Sequence, residues 1–117
     1  IINEKMIENV RRLEPIFMGG LKKFEELDHI GEARGVGLMG ALEMVQDKKS
    51  KKSFVGSISI GERVANKCIE NGLICRPLGP SIVLCPPFIT SDDEMEFIFD
   101  TLDKTLKKVF SEVKSLI

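Results

Sequence analysis

The chain has no tryptophan, no tyrosine and one histidine, His29. Without Tyr and Trp, the usual stacking platforms for single-stranded nucleic acid reduce to Phe. A formal net charge of -1 gives no bulk attraction to a phosphate backbone. One histidine with no positioned Ser or Cys makes no hydrolase triad, and no second His or Cys stands near it to build a metal site. His29 falls in a turn after the first helix and is assigned no chemistry. The three cysteines, Cys68, Cys75 and Cys85, are odd in number and lack CxxC spacing, so neither a zinc knuckle nor a disulfide framework is indicated. Each sits among apolar neighbours and reads as a small buried hydrophobe in a reducing compartment such as the cytoplasm. No apolar run approaches the ~18 residues of a membrane span. The start, Ile1-Ile-Asn-Glu-Lys5, has neither the basic region nor the apolar stretch of a signal peptide. It opens inside helix-like sequence, as expected of a piece of a larger protein.

What is present describes an ordinary folded unit. The 117 residues suit one domain, with 43% hydrophobic and 30% charged residues. Met6, Val10, Leu13, Phe17, Leu21 and Phe24 recur at steps of three and four, which predicts an amphipathic helix from Asn3 to Leu27. Pro15 is expected to kink it or split it in two. Asp28 to Gly31 reads as a turn and Glu32 to Val36 as a short strand. From Leu38 to Val45 the period becomes two: Leu38, Gly40, Leu42 and Met44 on one side, Met39, Ala41, Glu43 and Val45 on the other. Gln46 to Ser53 is a charged run that reads as a solvated loop. A second helix is predicted over Ser57 to Glu70, capped by Asn71-Gly72. Strands follow at Leu73 to Arg76 and Ser81 to Leu84, joined by the turn residues Pro77-Leu-Gly-Pro80. A final helix starts at Thr90, with Thr90 and Asp93 as a capping pair and Ile98, Leu102, Leu106, Val109 and Val113 as its apolar stripe. This order predicts an α+β two-layer sandwich, a small, mainly antiparallel sheet covered by amphipathic helices.

Few residues invite a chemical role. Gly35-Val-Gly37-Leu-Met-Gly40 matches GxGxxG formally. The dinucleotide site needs a helix N-terminus after the glycines, and here strand alternation follows. Glycines that let two strands bend and pack closely are the better reading. Arg76 remains. It is the only arginine after Arg63, in a half that otherwise uses lysine. A guanidinium fork grips a carboxylate through two parallel hydrogen bonds, which an ammonium does not. The residues alone also allow Arg76 to brace a strand end or pair with a nearby Glu.

Two stretches carry a resemblance. Gly31-Glu-Ala-Arg-Gly-Val-Gly-Leu-Met-Gly-Ala-Leu-Glu-Met-Val45 resembles the G-x-x-R-G-x-G-L stretch of class III aminotransferases. Asn71-Gly-Leu-Ile-Cys-Arg-Pro-Leu-Gly79, followed by Ser81-Ile-Val-Leu-Cys-Pro-Pro-Phe-Ile-Thr90, resembles the strands that lead into that family's final helix. The likeness is greatest to the omega-amino acid:pyruvate branch and spans nearly the whole chain. It implies the C-terminal small domain, residues 1–117, of a homodimeric enzyme of fold type I that depends on pyridoxal phosphate (PLP). Such an enzyme moves an amino group from an omega-amino acid or amine to a keto acid such as pyruvate. The resemblance assigns substrate carboxylate binding to Arg76. The Schiff-base lysine and the cofactor's other contacts are expected in a large domain before Ile1, so no catalytic or cofactor residue is carried onto this chain. It is therefore expected to be inactive alone, with its own large domain and a second subunit as partners, and neither nucleic acid nor membrane. The alternatives are a non-catalytic α+β ligand-binding module, in which Arg76 still holds a carboxylate, and an interaction module that docks through apolar faces.

Overall fold

The computed structural model describes residues 4–87 and 90–117. Three helices, α1 (Glu4–Lys23), α2 (Ile60–Glu70) and α3 (Asp92–Val113), cover a four-stranded antiparallel sheet. Its strands are β1 (Ile30–Val36), β2 (Met39–Met44), β3 (Arg76–Leu78) and β4 (Ser81–Leu84), in the order β1-β2-β4-β3. The α+β architecture is as the sequence predicts, and the core lies between sheet and helices. Leu13, Phe17 and Leu21 of α1, Leu42 and Met44 of β2, Ile82 of β4 and Leu102 and Leu106 of α3 are fully buried there.

The first helix runs unbroken through Pro15 rather than splitting in two there, and the start expected at Asn3 lies outside the described residues. Pro15 lies on the exposed side, between the buried Leu13 and Phe17. The bond its own N–H would have made is lost, and the exposed position leaves the ring outside the core. The helix ends at Lys23, and Phe24–Glu26 tighten into a 3-10 turn. Gly20 is where α1 and α3 meet: a Cβ there would lie 2.4 Å from the Phe99 ring.

β1 begins at Ile30, two residues before the expected start, and slips register between Ile30 and Glu32. Gly37, with φ 59°, opens a two-residue turn into β2, so Leu38 belongs to the turn. Gly35 and Gly40 pair directly. A Cβ on Gly40 would lie 2.2 Å from Leu21 Cδ1, so α1 packs against bare backbone. The GxGxxG match is therefore a packing device.

The second helix starts at Ile60 rather than Ser57, because Ser59 has φ 51° and a 3-10 turn, Gly56–Ile58, precedes it. α3 is capped by Ser91 and Glu94, not by Thr90 and Asp93: Ser91 Oγ accepts from the Glu94 N–H, and the Glu94 carboxylate accepts from the Ser91 N–H. Thr90 instead donates its hydroxyl to the Pro87 carbonyl at 2.6 Å.

Candidate carboxylate-binding site

Arg76 is placed by a chain of local events. α2 ends in a Schellman turn. Gly72, with φ 86°, donates to the Ile69 carbonyl, and Leu73 donates to the Cys68 carbonyl at 2.8 Å. Asn71 Nδ2 ties the turn to Thr105 Oγ1 of α3 at 3.0 Å. With its N–H used by the cap, Leu73 does not start the strand that the sequence suggests. Leu73 and Cys75 enter the core, Ile74 faces out, and β3 begins at Arg76. Pro77 and Leu78, expected in the turn, lie in β3; the turn is Gly79-Pro80, with Gly79 at φ 58°. β3 is an edge strand, which tolerates the missing N–H of Pro77.

The register decides which way Arg76 points. Arg76 pairs with Val83, Val83 with Ala41, and Ala41 with Arg34. Cross-strand partners share a face. This row alternates with Ala33, Leu42 and Ile82, which are buried under the helices. Arg76 therefore stands on the open face. Val36, Met39 and Leu78 are on that face too, and are 77%, 55% and 62% exposed.

The five arginines differ in what holds them. Arg12 pairs with Asp92 and Asn9. Arg34 has Glu32 at 3.6 Å and Glu43 at 3.4 Å. Arg63 donates to the Ile58 carbonyl. Among the described residues, the Arg76 guanidinium has no hydrogen bond or ion pair. Arg11 shares that condition but projects from an exposed helix face, whereas Arg76 is anchored in a hairpin held by two prolines. The brace by a nearby Glu is not formed among these residues. What is left is an exposed fork on a stiff support, suited to a planar anion.

Other candidates resolve into structure. His29 Nδ1 lies 3.0 Å from the Val45 carbonyl, and its ring meets Phe54 and Phe110 at 5.3 and 5.0 Å. Cys68 and Cys75 are buried, but Cys85, expected inside, is exposed. It follows Leu84, so the alternation of the strand turns it to the open face. The hydrogen bond to Cys68, together with burial, pushes the Cys75 thiol well above the usual range and keeps it protonated. Lys48, Lys49, Lys51 and Lys52 lie on an exposed loop closed by Asp47, which accepts from Ser50 Oγ at 2.8 Å. Among the described residues no His, Cys, Asp or Glu group could hold a metal, and no helix is long and apolar enough to cross a membrane.

The fit to PLP is also a matter of lysines. A Schiff-base lysine is desolvated in its pocket. All twelve lysines here are exposed or half-buried, so none is desolvated by the described residues alone.

One feature has no signal in the sequence: the contact behind the hairpin. Gly61, in the first turn of α2, lies against the Gly79 carbonyl. Beside them an open groove of about 390 Å³ runs between Phe54, Ile60 and Glu62 on one side and Pro77, Gly79 and Pro80 on the other.

The Aminotransferase class-III family model matches residues 1–106. The adenosylmethionine-8-amino-7-oxononanoate aminotransferase of Methanocaldococcus jannaschii is 36% identical over 105 residues, which are 90% of this chain and 23% of that protein. The PMP-bound form of an aminotransferase from Vibrio fluvialis superposes with a TM-score of 0.93 at 56% identity, covering 97% of this chain and 25% of that one. An omega-aminotransferase from Paracoccus denitrificans gives 0.92 at 54% identity, covering 96% and 25%. The chain thus spans about a quarter of the length of the relatives it matches.

Proposed function

Because this chain belongs to the class-III aminotransferases, a PLP-dependent family, we propose that it is the C-terminal small domain of an omega-type transaminase and supplies the arginine that binds the substrate carboxylate. The whole enzyme moves an amino group from an omega-amino acid or amine to a keto acid such as pyruvate. Its cofactor supplies the electron sink. The cofactor site, with its Schiff-base lysine, belongs to the large domain of such an enzyme. The second subunit of a homodimer completes the assembly.

The observation that carries this reading is the unpaired guanidinium of Arg76, on the open face within Leu73-Ile-Cys-Arg-Pro-Leu-Gly79. A charge left unpaired on a stiff hairpin is available to a ligand. The exposed Val36, Met39 and Leu78 on the same face support the docking of another layer there. Relatives above 50% identity that are described as omega-aminotransferases support the omega branch.

The test uses the full-length protein with PLP and pyruvate. Donors are β-alanine, 4-aminobutyrate, taurine and benzylamine. Amino transfer from at least one of them to pyruvate is expected, and Arg76→Ala should weaken pyruvate turnover more than turnover of a carboxylate-free aldehyde. No transfer from any donor, or equal weakening with both acceptors, would count against the proposal.

A further inference from the structure

We propose that Gly61 is a positioning residue for carboxylate recognition: the space where its side chain would be is the seat of the β3–β4 turn, and that seat sets the reach of Arg76. This rests on the reading of Arg76 as the carboxylate ligand.

Gly61 is buried in the first turn of α2. A Cβ there would lie 2.3 Å from the Gly79 carbonyl oxygen and 3.1 Å from that of Ser81. Both atoms are backbone, so neither can swing aside as a side-chain end does. On its other flank the turn is held by β2, where the Met44 N–H donates to the Pro80 carbonyl at 2.9 Å. α2 is not free to retreat, because Val64, Ala65 and Cys68 lock it into the core. The hairpin is short, three residues in β3 and four in β4, and Pro77 and Pro80 stiffen it. A displacement at Gly79 therefore reaches Arg76 three residues away. Relieving a 2.3 Å contact to 3.0 Å requires a shift of 0.7 Å. Misplacement on the order of 1 Å at a remote support can cost about a hundredfold in rate.

The experiment measures kcat/KM on the full-length holoenzyme, with benzylamine as donor and pyruvate or butanal as acceptor. For Gly61→Ala, pyruvate should fall about tenfold or more and butanal less than about twofold, a fraction of the cost of a 1 Å misplacement. In an Arg76→Ala background the selective fall should vanish, because the fork that Gly61 positions is gone. A merely structural role would lower both acceptors together. If Gly61→Ala does not yield folded enzyme, Gly79→Ala takes its place. A Cβ there meets nothing within 4 Å, but φ 58° disfavours it, so it disturbs the turn from within. The same selective loss is expected. Equal losses, no loss, or a selective loss that survives in the Arg76→Ala background overturns the proposal. If Arg76→Ala itself does not discriminate between acceptors, the carboxylate reading fails first. If Arg76→Ala discriminates and neither glycine variant does, only the role of Gly61 fails.

Discussion

Arg34 and Arg76 stand at opposite ends of one cross-strand row, with Ala41 and Val83 between them, and among the described residues only Arg34 of the two has carboxylate partners. The same residue type on the same face is thus neutralised at one edge of the sheet and left available at the other. Glu32 and Glu43 supply the difference, since both lie on the β1–β2 side.

The charge at position 76 should not be replaceable by another cation. In the full-length enzyme, Arg76→Ala is expected to cost on the order of 2–5 kcal/mol in kcat/KM for pyruvate if the pair is desolvated on binding. Arg76→Lys should recover little of it, because an ammonium lacks the planar fork. Full recovery by lysine in a steady-state assay would make the interaction a simple point charge.

This chain should form no specific adduct with PLP. Borohydride reduction after incubation with the cofactor, followed by peptide mapping, is expected to spread label thinly over exposed lysines. Concentration of label on a single lysine would place a cofactor site within these residues.

The close approach of α1 to β2 can be tested by a pair of substitutions. Gly40→Ala pushes a methyl group into Leu21 and Phe17 and should cost roughly 1–3 kcal/mol. Leu21→Ala alone should cost roughly 2–5 kcal/mol. Together they should cost less than the sum, because the smaller side chain makes room for the new methyl. Additive losses in urea unfolding would show that the two sites do not share that space.

Thiol labelling should separate the cysteines. Cys85 is exposed and should react in the native chain, whereas Cys68 and Cys75 should react only on unfolding. Mass spectrometry after a short exposure to iodoacetamide gives the answer. Modification of Cys75 as fast as Cys85 would contradict its burial.

Acid should weaken the chain through carboxylates held low in the fold, Glu25, Asp47 and Glu94. The Ala33 N–H holds Glu25 below its usual pKa, and the Ser91 N–H, then its hydroxyl, do the same for Glu94. A depressed folded pKa contributes stability above the unfolded value, about 4.3, and that contribution is lost as pH falls through the folded value. Denaturant midpoints should therefore drop below about pH 4.3, and Glu25→Gln with Glu94→Gln should flatten the drop. Ser91→Ala should cost about 1 kcal/mol at neutral pH by removing the cap. Thr90→Ser keeps the bond to Pro87 and should cost much less.

Much of the fold is legible along the chain because its causes are local. The three- and four-residue spacing of Leu13, Phe17 and Leu21 is itself the helix, and Asn71-Gly72 carries its own stop through the left-handed glycine. The motifs around Arg34 and Arg76 also point to the family that the match over residues 1–106 bears out. Boundaries moved by one to four residues where local solutions competed. Ser91 and Glu94 outdid Thr90 and Asp93 as a cap, and the Schellman turn took the N–H that would have started β3 at Leu73.

What local pattern does not carry is the identity of the distant neighbour. Pro15 leaves α1 whole because its ring faces water while the flanking side chains are held by the core. Cys85 is exposed because Leu84 before it is anchored inward. Among the described residues Arg76 is unpaired because Glu32 and Glu43 lie with β1 and β2, across the sheet. Gly61 must be glycine only because the β3–β4 turn comes to rest on it. The sequence determined the elements, their order and the family. Tertiary packing alone decided which face each residue shows and which arginines of the sheet are paired, because those depend on atoms far apart in the chain and brought together only by the core.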